Sequence, residues 1–322
     1  MNAVKLSAAC LFLLAVVSAG PGSAQAQSQQ VVRIVVPYAA GAPTDIAARQ
    51  LAEALRKVTG MNYIVDPKPG AAGTIGSGDV AKSRPDGYTL LYTTGGHTSN
   101  ATFYSKLPYD TAKDFTAISM ISKSAGFALI VPKTSRYASL EELIAAAKAT
   151  PEKLSYGSSG VGNTTHIVAA TFERAAGVKL LHVPYKASPL NDLRAGMIDM
   201  TFIGSAAASL LVRDGEARAL AVTGSERDPF LPGVPSTAER GIKGVDVPAW
   251  AGVFAPGGMA PELARKINGE IAQAKKDRTY VEASRLANRA IVDMPQPEFA
   301  AFVQDELDRY RRDLPALGIT SE

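Results

Sequence analysis

Two successive rounds of alternating strand and helix patterns constrain the fold of this chain more than any other feature. Short apolar runs rich in Val, Ile and Leu alternate with segments of helical length over residues 31–94 and again over residues 153–222. Such alternation favours a doubly wound, mixed but largely parallel sheet flanked by helices, with ligands bound beyond the carboxyl ends of the strands. Two rounds without an obvious sequence repeat predict two similar α/β lobes.

The first round is predicted to contain strands at residues 31–36, 62–66 and 88–94. A helix is expected to run to Leu55, with Thr44 or Asp45 as its cap, and a short helix is expected to end near Lys82. The polar segment 95–100 is predicted to be a loop, and residues 115–131 are strand-like. Ser139 and Glu142 have the spacing of a capping box.

The second round is predicted to contain strands at residues 153–156, 180–185, 199–203 and 217–222, with helices at 163–175, 189–195 and 206–213. Residues 229–244 are rich in Pro and Gly and indicate a surface connection. A strand at 247–254 is expected to return the chain to the first lobe, followed by helices at 261–276 and 296–311. The first lobe is therefore predicted to comprise 27–124 with 248–322, and the second lobe 125–247.

Residues 1–26 have the pattern of a cleaved signal peptide. Lys5 precedes an apolar core at residues 6–17, and residues 24–26 form a small-x-small cleavage site near Ala26. The core is too short for an ordinary membrane-spanning helix. We therefore expect export, to a bacterial periplasm. Cys10, the chain's single cysteine, lies in this segment, so the mature chain has no disulfide and no catalytic thiol.

The charge of the chain gives no indication of a nucleic-acid partner. There are 34 Lys and Arg against 30 Asp and Glu, a formal net charge of +4, without a basic run interleaved with aromatic residues. No later apolar run approaches membrane-spanning length. Neither nucleic acid nor a membrane is an expected partner of the mature chain.

Two loops resemble one another in design and indicate an anion site. Each follows a predicted strand, contains glycine and small polar residues, and leads into a helix start: residues 38–45 (the first loop) and residues 158–165 (the second loop). A helix N-terminus presents free backbone N–H groups and the positive end of the helix dipole, which together favour an anion. We expect the two loops to face one another from different lobes.

Signatures of enzymes, cofactors and metals are missing from the sequence. The glycines of residues 70–76 have a spacing unlike that of a dinucleotide fingerprint, so a turn is expected there. Residues 157–160 lack the G-x-S-x-G spacing of a nucleophile elbow. Among the histidines, His97 is the best candidate for ligand contact. His166 is expected to support the second loop, while His182 and Trp250 are expected in the core. No catalytic residue, metal ligand or cofactor is predicted.

Several motifs in a common order make the chain similar to a known family. They are Ile34-Val35-Val36-Pro37-Tyr38 with Gly41 and Asp45, residues 70–76, Pro85-Asp86-Gly87-Tyr88, Leu107-Pro108-Tyr109-Asp110, His182-Val183-Pro184-Tyr185-Lys186, residues 218–223 and Ala249-Trp250. With them the chain resembles the Bug-type periplasmic receptors of tripartite tricarboxylate transporters over nearly all of its mature length. The resemblance implies a two-lobed periplasmic binding protein, type II-like, that closes on a carboxylated ligand and delivers it to membrane permease subunits.

The resemblance also implies a binding site in which the two loops hold one carboxylate as a pincer, while two threonines and a histidine line the rest of the cleft. Together with residues near the end of a second-lobe strand, the candidate ligand-binding residues are Tyr38, Ala39, Gly41, Ala42, Pro43, Thr44, Asp45, Thr93, Thr94, His97, Ser158, Gly162, Asn163, Thr164, Ile203 and Gly204.

Two departures from the family pattern affect this site. The first loop usually has a glycine pair, whereas here Gly41 is followed by Ala42-Pro43, and Pro43 removes a backbone donor from the loop. Ile203 stands where many relatives have an acidic residue, so a partner for a ligand ammonium group is missing. We therefore expect an amine-free mono- or dicarboxylate, aliphatic or aromatic, in preference to an amino acid.

Alternatives from other classes stay open at this point. An exported α/β hydrolase acting on a carboxylated substrate would share the fold, and a receptor that presents its ligand to a membrane sensor would share both fold and site. A monomer is the expected state. The sequence does not identify the ligand.

Overall fold

The computed structural model describes residues 31–104, 106–124, 126–186, 188–313 and 317, so the predicted signal peptide lies outside the described residues. The strands are β1 (Val31–Val36), β2 (Asn62–Pro67), β3 (Thr89–Thr94), β4 (Phe115–Ser124), β5 (Phe127–Pro132), β6 (Ser155–Ser158), β7 (Leu181–Pro184), β8 (Met200–Gly204), β9 (Ala217–Val222) and β10 (Ala249–Pro256).

The helices alternate with these strands along the chain. They are α1 (Pro43–Thr59), α2 (Thr74–Ala81), α3 (Gly96–Phe103), α4 (Leu140–Ala149), α5 (Thr164–Ala176), α6 (Leu190–Arg194), α7 (Ser205–Arg213), α8 (Pro261–Ala274), α9 (Arg278–Leu286) and α10 (Gln296–Asp313). None of the described helices is both long and apolar enough to cross a membrane.

Two five-stranded mixed sheets organise these elements. In the first sheet the order is β2-β1-β3-β10-β4, with β10 antiparallel to both of its neighbours. In the second the order is β7-β6-β8-β5-β9, with β5 antiparallel to both neighbours. We call the parts built on these sheets lobe 1 and lobe 2. The two-lobed α/β prediction is confirmed, and the domain boundaries 27–124 with 248–322 and 125–247 stay a prediction.

Burial on both faces explains why β1 is apolar almost throughout. Val32, Ile34 and Val36 pack in the cluster that includes α1, while Val35 packs in a separate cluster with Phe254. Strands covered on both faces need apolar side chains in both directions, which gives a near-continuous run instead of an alternation. The same pattern holds for β5, whose six residues are all buried.

The prediction that residues 115–131 are strand-like is confirmed: they form two strands, β4 and β5, and the chain passes from the first sheet to the second after Ser124. Two local predictions are wrong, and one helix was not predicted. The predicted loop 95–100 lies mostly in α3, which begins at Gly96. Ala42, rather than Thr44 or Asp45, occupies the N-cap position of α1, with Pro43 next. Helix α9 had no counterpart among the predicted helices.

A buried carboxylate joins three elements of lobe 1. Glu306 on α10 is 3% exposed and accepts hydrogen bonds from Thr98 Oγ1 on α3, at 2.6 Å, and from Trp250 Nε1 on β10, at 3.0 Å. Its second oxygen pairs with Arg309 at 3.0 Å. The predicted core position of Trp250 is confirmed, and its indole is fixed by this bond.

The predicted cap at Ser139 is confirmed and can be tested directly. Ser139 Oγ accepts the N–H of Glu142 at 3.2 Å, while the Glu142 carboxylate accepts the N–H of Ala138 at 2.7 Å. We expect Ser139→Ala to lower the free energy of unfolding by about 1 kcal/mol, because one helix-end donor loses its acceptor. Chemical denaturation measures the loss. Ser139→Asp, which restores an acceptor, should recover it, and equal stability of all three proteins would contradict the assignment.

Candidate functional site

One backbone N–H group of the first loop donates a hydrogen bond to a side chain of the helix that follows the loop. Gly41 turns the chain with a φ of 78°, and its N–H donates to Asp45 Oδ2 at 2.9 Å. Arg49 donates to the same oxygen at 3.0 Å. Burial alone would raise the pKa of Asp45, but the Arg49 and Gly41 hydrogen bonds hold it below its ordinary value. Asp45 is therefore a carboxylate inside the predicted anion loop.

Several backbone donors of the first loop are left over. Pro43 has no N–H, and the N–H of Ala42 bonds to Ala39 O. Among the described residues, no hydrogen-bond partner is found for the N–H groups of Tyr38, Ala39, Ala40, Thr44 and Asp45. Those of Thr44 and Asp45 lie in the first turn of α1, where the helix dipole adds positive potential. The loop can therefore offer five backbone donors, two of them at the helix start.

Several backbone N–H groups of the second loop also donate to side chains of the loop itself or of the helix start after it. Thr165 Oγ1 accepts from Ser159 N–H, Ser158 Oγ accepts from Gly160 N–H, and His166 Nδ1 accepts from Gly162 N–H at 3.1 Å. The last bond confirms that His166 supports this loop. Thr164 is the exception: its hydroxyl is buried without a partner. Its position at the first turn of α5 makes it one available donor of this loop.

The two loops meet around Gly96 of α3. A Cβ atom built on Gly96 would lie 3.1 Å from Asn163 Nδ2 and 3.5 Å from Tyr38 Oη, so the amide and the phenol converge on this glycine from different lobes. Asn163 Oδ1 accepts from Thr165, which leaves Nδ2 as the group facing the first loop. Tyr38 Oη and Thr94 Oγ1 share a hydrogen bond of 2.6 Å. These groups form a cluster of donors between the lobes.

Direct hydrogen bonds from α3 to the second loop hold the lobes together. Ser99 Oγ donates to Gly162 O at 3.0 Å, and Tyr104 Oη donates to Val161 O at 3.2 Å. Phe103 packs with Ile167 of α5 and Tyr310 of α10. Gly162 lies so close to the Phe103 ring that a Cβ atom would overlap it. The close approach of the second loop to lobe 1 therefore depends on this glycine.

A cavity of about 330 Å³ lies between the lobes beside the first loop. It is lined by the first turn of α1, the ends of β4 and β10 nearest lobe 2, the start of α7 and the segment 287–290. Pro43, Thr44 and Gly204 are the predicted site residues among its lining. The position between two lobes and next to a helix N-terminus makes it the candidate ligand cavity.

Charge in the cavity is of one sign. Lys123 and Arg289 line it, and none of its lining residues is acidic. The other lining side chains are mostly small and apolar, for example Ala206, Ala207 and Ala251. Among the described residues, no three side chains of His, Cys, Asp or Glu are grouped as a metal ion would require. The cavity is chemically suited to an anion with an apolar body.

His97 does not lie where a cleft-lining role would place it. Its ring is 2% exposed and packs against Phe115, Phe254 and Tyr109, with centroid distances of 4.5, 4.9 and 6.0 Å. Neither ring nitrogen has a hydrogen-bond partner among the described residues. Burial lowers the pKa of His97 to about 3. The side chain belongs to the aromatic core under α3, because residues 96–103 are helical and turn it inward.

Ile203 is also placed differently from the expectation. It is half-buried and packs with Ala128 and Val222 in the apolar core of lobe 2, while Gly204, Ala206 and Ala207 line the cavity at this point. Three small residues, and no acidic one, therefore form the cavity wall at this point. Thr93 is 1% exposed and is not among the lining residues.

The remaining candidate residues belong to the two loops. Ala39, Gly41 and Ala42 form the turn before α1, and Ser158 and Gly162 shape the second loop. Ser158 Oγ shares a 2.6 Å hydrogen bond with His182 Nε2, and the His182 ring stacks on His166 at 4.0 Å. His182 is half-buried rather than a core residue. The pKa of both histidines is lowered to about 4, by burial in His182 and by burial together with the neighbouring His182 in His166.

Comparison with known proteins decides the family. The sequence profile described as "Tripartite tricarboxylate transporter family receptor" matches residues 47–319. The chain belongs to this family. Protein BugT of Bordetella pertussis is 30% identical over 315 residues, which cover 96% of each chain. The resemblance to Bug-type receptors is confirmed, and the protein is a solute-binding receptor by family and fold.

Two solved structures of Rhodopseudomonas palustris proteins have the same architecture. Rpa4515 with adipate is 31% identical, with a TM-score of 0.85 over 92% of this chain and 100% of that one. MatC (Rpa3494) with bound malate is 28% identical, with a TM-score of 0.81 over 87% of this chain and 97% of that one. Both share the two-lobed fold described above.

The burial of His97 predicts a loss of stability in acid. The folded state keeps His97 neutral down to a pKa of about 3, whereas the unfolded chain takes up a proton near 6.5, so stability falls as the pH drops below 6.5. His97→Phe should remove roughly 2 kcal/mol of that loss at pH 5. Denaturation at pH 7.5 and pH 5 measures it. Tyr109→Phe in the same cluster should keep the wild-type profile, and an unchanged profile for His97→Phe would contradict this account.

The contact of Gly162 with Phe103 predicts a variant with separated lobes. Gly162→Ala should push the second loop away from lobe 1 and increase the radius of gyration measured by small-angle X-ray scattering. Gly177→Ala is the control, since Gly177 also has a positive φ, of 63°, but open space where its Cβ would lie. Both variants share the backbone strain of about 1 kcal/mol. Equal scattering of the two would show that Gly162 does not set lobe closure.

Proposed function

We propose that this receptor captures a small amine-free carboxylate between its lobes and delivers it to the membrane permease subunits of a tripartite transporter in the periplasm. The observation that carries the proposal is the convergence of donors from both lobes. Asn163 Nδ2 from lobe 2 and Tyr38 Oη from lobe 1 converge on Gly96, and the buried Thr164 hydroxyl lies beside the neighbouring Gly95. A carboxylate bound among them would join the lobes.

The absence of acidic lining residues supports an amine-free ligand. An ammonium group in the cavity would face Lys123 and Arg289 without a carboxylate beside it. Desolvating a cation without a partner is costly, whereas methylene or aromatic groups fit the alanine-rich walls. Relatives with adipate and with malate bound support a carboxylate ligand of small size. A ligand-presenting role toward a membrane sensor would use the same site.

The family assignment supports a receptor over an exported hydrolase. We infer that one chain is sufficient for binding, because the donors that converge from the two lobes belong to the same chain. Ligand release to the permease requires the lobes to separate, as in other hinged binding proteins. The hydrogen bonds of Ser99 and Tyr104 to the second loop are the contacts that such an opening would break.

Titration with a matched pair of ligands tests the choice of ligand. Glutarate and glutamate have the same length and the same two carboxylates, and they differ in the α-amino group. We expect glutarate to raise the melting temperature of the mature protein and glutamate to raise it far less. A larger shift with glutamate would overturn the amine-free proposal and leave the receptor assignment intact.

A charge reversal in the second loop tests the proposed site. Asn163→Asp keeps an acceptor for Thr165 N–H, and aspartate caps helices as well as asparagine, so the fold should be retained. It replaces the Nδ2 donor with a negative charge, which should weaken carboxylate binding by at least about tenfold. Calorimetric titration measures the affinity. Asn191→Asp on the exposed helix α6 is the control, and wild-type affinity in Asn163→Asp would exclude this site.

A further inference from the structure

We propose that Glu306 is a positioning residue for ligand capture, because its buried carboxylate couples the cavity wall of lobe 1 to the contacts that close lobe 2 over the ligand. The inference rests on the proposed function, since it takes the ligand to be held between the lobes. Glu306 is not among the residues that line the cavity. It acts through three side chains that are bonded to it.

Two hydrogen bonds and one ion pair hold the Glu306 carboxylate in place. One oxygen, Oε2, accepts from Thr98 Oγ1 at 2.6 Å and from Trp250 Nε1 at 3.0 Å, while Oε1 pairs with Arg309 Nη2 at 3.0 Å. The residue is 3% exposed. Hydrogen bonds to a charged acceptor are short and strong, and loss of one partner leaves a buried charge less well compensated. The positions of the three donors are therefore linked to one another.

Trp250 connects this carboxylate to the ligand cavity. It is one of the lining residues, and the single N–H of its indole donates to Glu306. A Cβ atom built on Gly95 would lie 3.1 Å from Trp250 Nε1 and 3.3 Å from the Thr164 hydroxyl, so the indole of lobe 1 and the free donor of lobe 2 meet at the same glycine. A ligand that contacts the indole therefore acts on a ring whose polar edge is held by Glu306.

Thr98 connects the same carboxylate to the contacts between α3 and the second loop. Its hydroxyl has one proton and two acceptors within reach, Glu306 Oε2 at 2.6 Å and Gly95 O at 2.8 Å. The carboxylate is the favoured acceptor, because hydrogen bonds to ionised groups are stronger than those to neutral groups. The next residue, Ser99, donates to Gly162 O in the second loop. The position in which Glu306 holds α3 therefore sets the donor that α3 offers to lobe 2.

Arg309 connects the carboxylate to the segment through which the chain returns from lobe 2. Its Nη1 donates to Asp246 O at 3.3 Å, while its Nη2 pairs with Glu306. Asp246 lies between Val245 and Val247, which are both buried in the apolar core of lobe 2. The bond from Arg309 therefore crosses from lobe 1 to lobe 2 shortly before β10 begins.

Glu306 is thus the shared acceptor of three groups, each of which leads to lobe 2 by a different route. A neutral amide at this position would offer a single oxygen to the three donors and would lose the ion pair with Arg309. Helix α3 and the Arg309 side chain would then be held less firmly against the lobe 2 groups they meet. Loss of the charge should therefore make closure of the lobes, and with it ligand capture, less favourable.

Scattering and fluorescence of the ligand-free protein test this coupling, since Trp250 is the single tryptophan of the chain. Glu306→Gln should increase both the radius of gyration, measured by small-angle X-ray scattering, and the quenching of Trp250 fluorescence by acrylamide. It should also weaken glutarate binding about fivefold or more in calorimetric titration. Thr98→Val should have the same three effects, whereas Thr98→Ser, which keeps the hydroxyl, should behave as the wild type does.

Two variants serve as controls. Asp305→Asn also removes a charge, from the exposed residue that precedes Glu306 on α10, and Ile271→Val lowers stability in the core of lobe 1. Both should keep the wild-type scattering, quenching and affinity.

The outcomes separate this proposal from the proposed function. If Glu306→Gln lowered only the free energy of unfolding, as Ile271→Val should, Glu306 would have a purely structural role and the proposal would be overturned. Absence of glutarate binding by the wild type would instead count against the proposed function, while the ligand-free measurements would still decide the role of Glu306.

Discussion

Lobe 1 depends on a strand that the chain supplies only after lobe 2 is complete. β10 lies between β3 and β4 and hydrogen-bonds to both, so the first sheet is split without it. Its Trp250 donates to the buried Glu306, which also holds α3 through Thr98. Because α3 in turn bonds to the second loop, the return strand determines both the floor of the cavity and the approach of the lobes.

The fold could be predicted from the sequence wherever burial imposed a pattern on it. The apolar runs of β1 and β9 identified those strands to the residue, since each is packed against helices. The error at α3 lies where the pattern was ambiguous. This helix was not recognised because its glycine, serine and asparagine are poor helix formers. Tertiary contacts, including the Thr98–Glu306 bond, hold that helix.

The sequence could predict which loops form the candidate site, but only partly which of their donors are free. Glycine and small polar residues before a helix identified both loops, yet the sequence could not show that Asp45, Thr165 and His166 take up many of their donors. His97 follows a strand end, as a cleft residue would, but its side chain lies in the aromatic core instead of the cleft. Arg289, which lines the cavity, was not among the predicted site residues because α9, the helix before it, was not predicted.

The use of donors within the loops explains why selectivity lies elsewhere. Loops that bond part of their N–H groups internally are rigid before a ligand arrives, which reduces the entropy lost on binding. Under the proposed function, backbone donors would recognise the carboxylate group that all such ligands share. Discrimination among carboxylates would then come from the cavity, whose walls from Ala47 to Leu210 are mostly small and apolar. Asn288, beside this cavity, donates to Ser209 of lobe 2, so a ligand held there would add to contacts that already join the lobes.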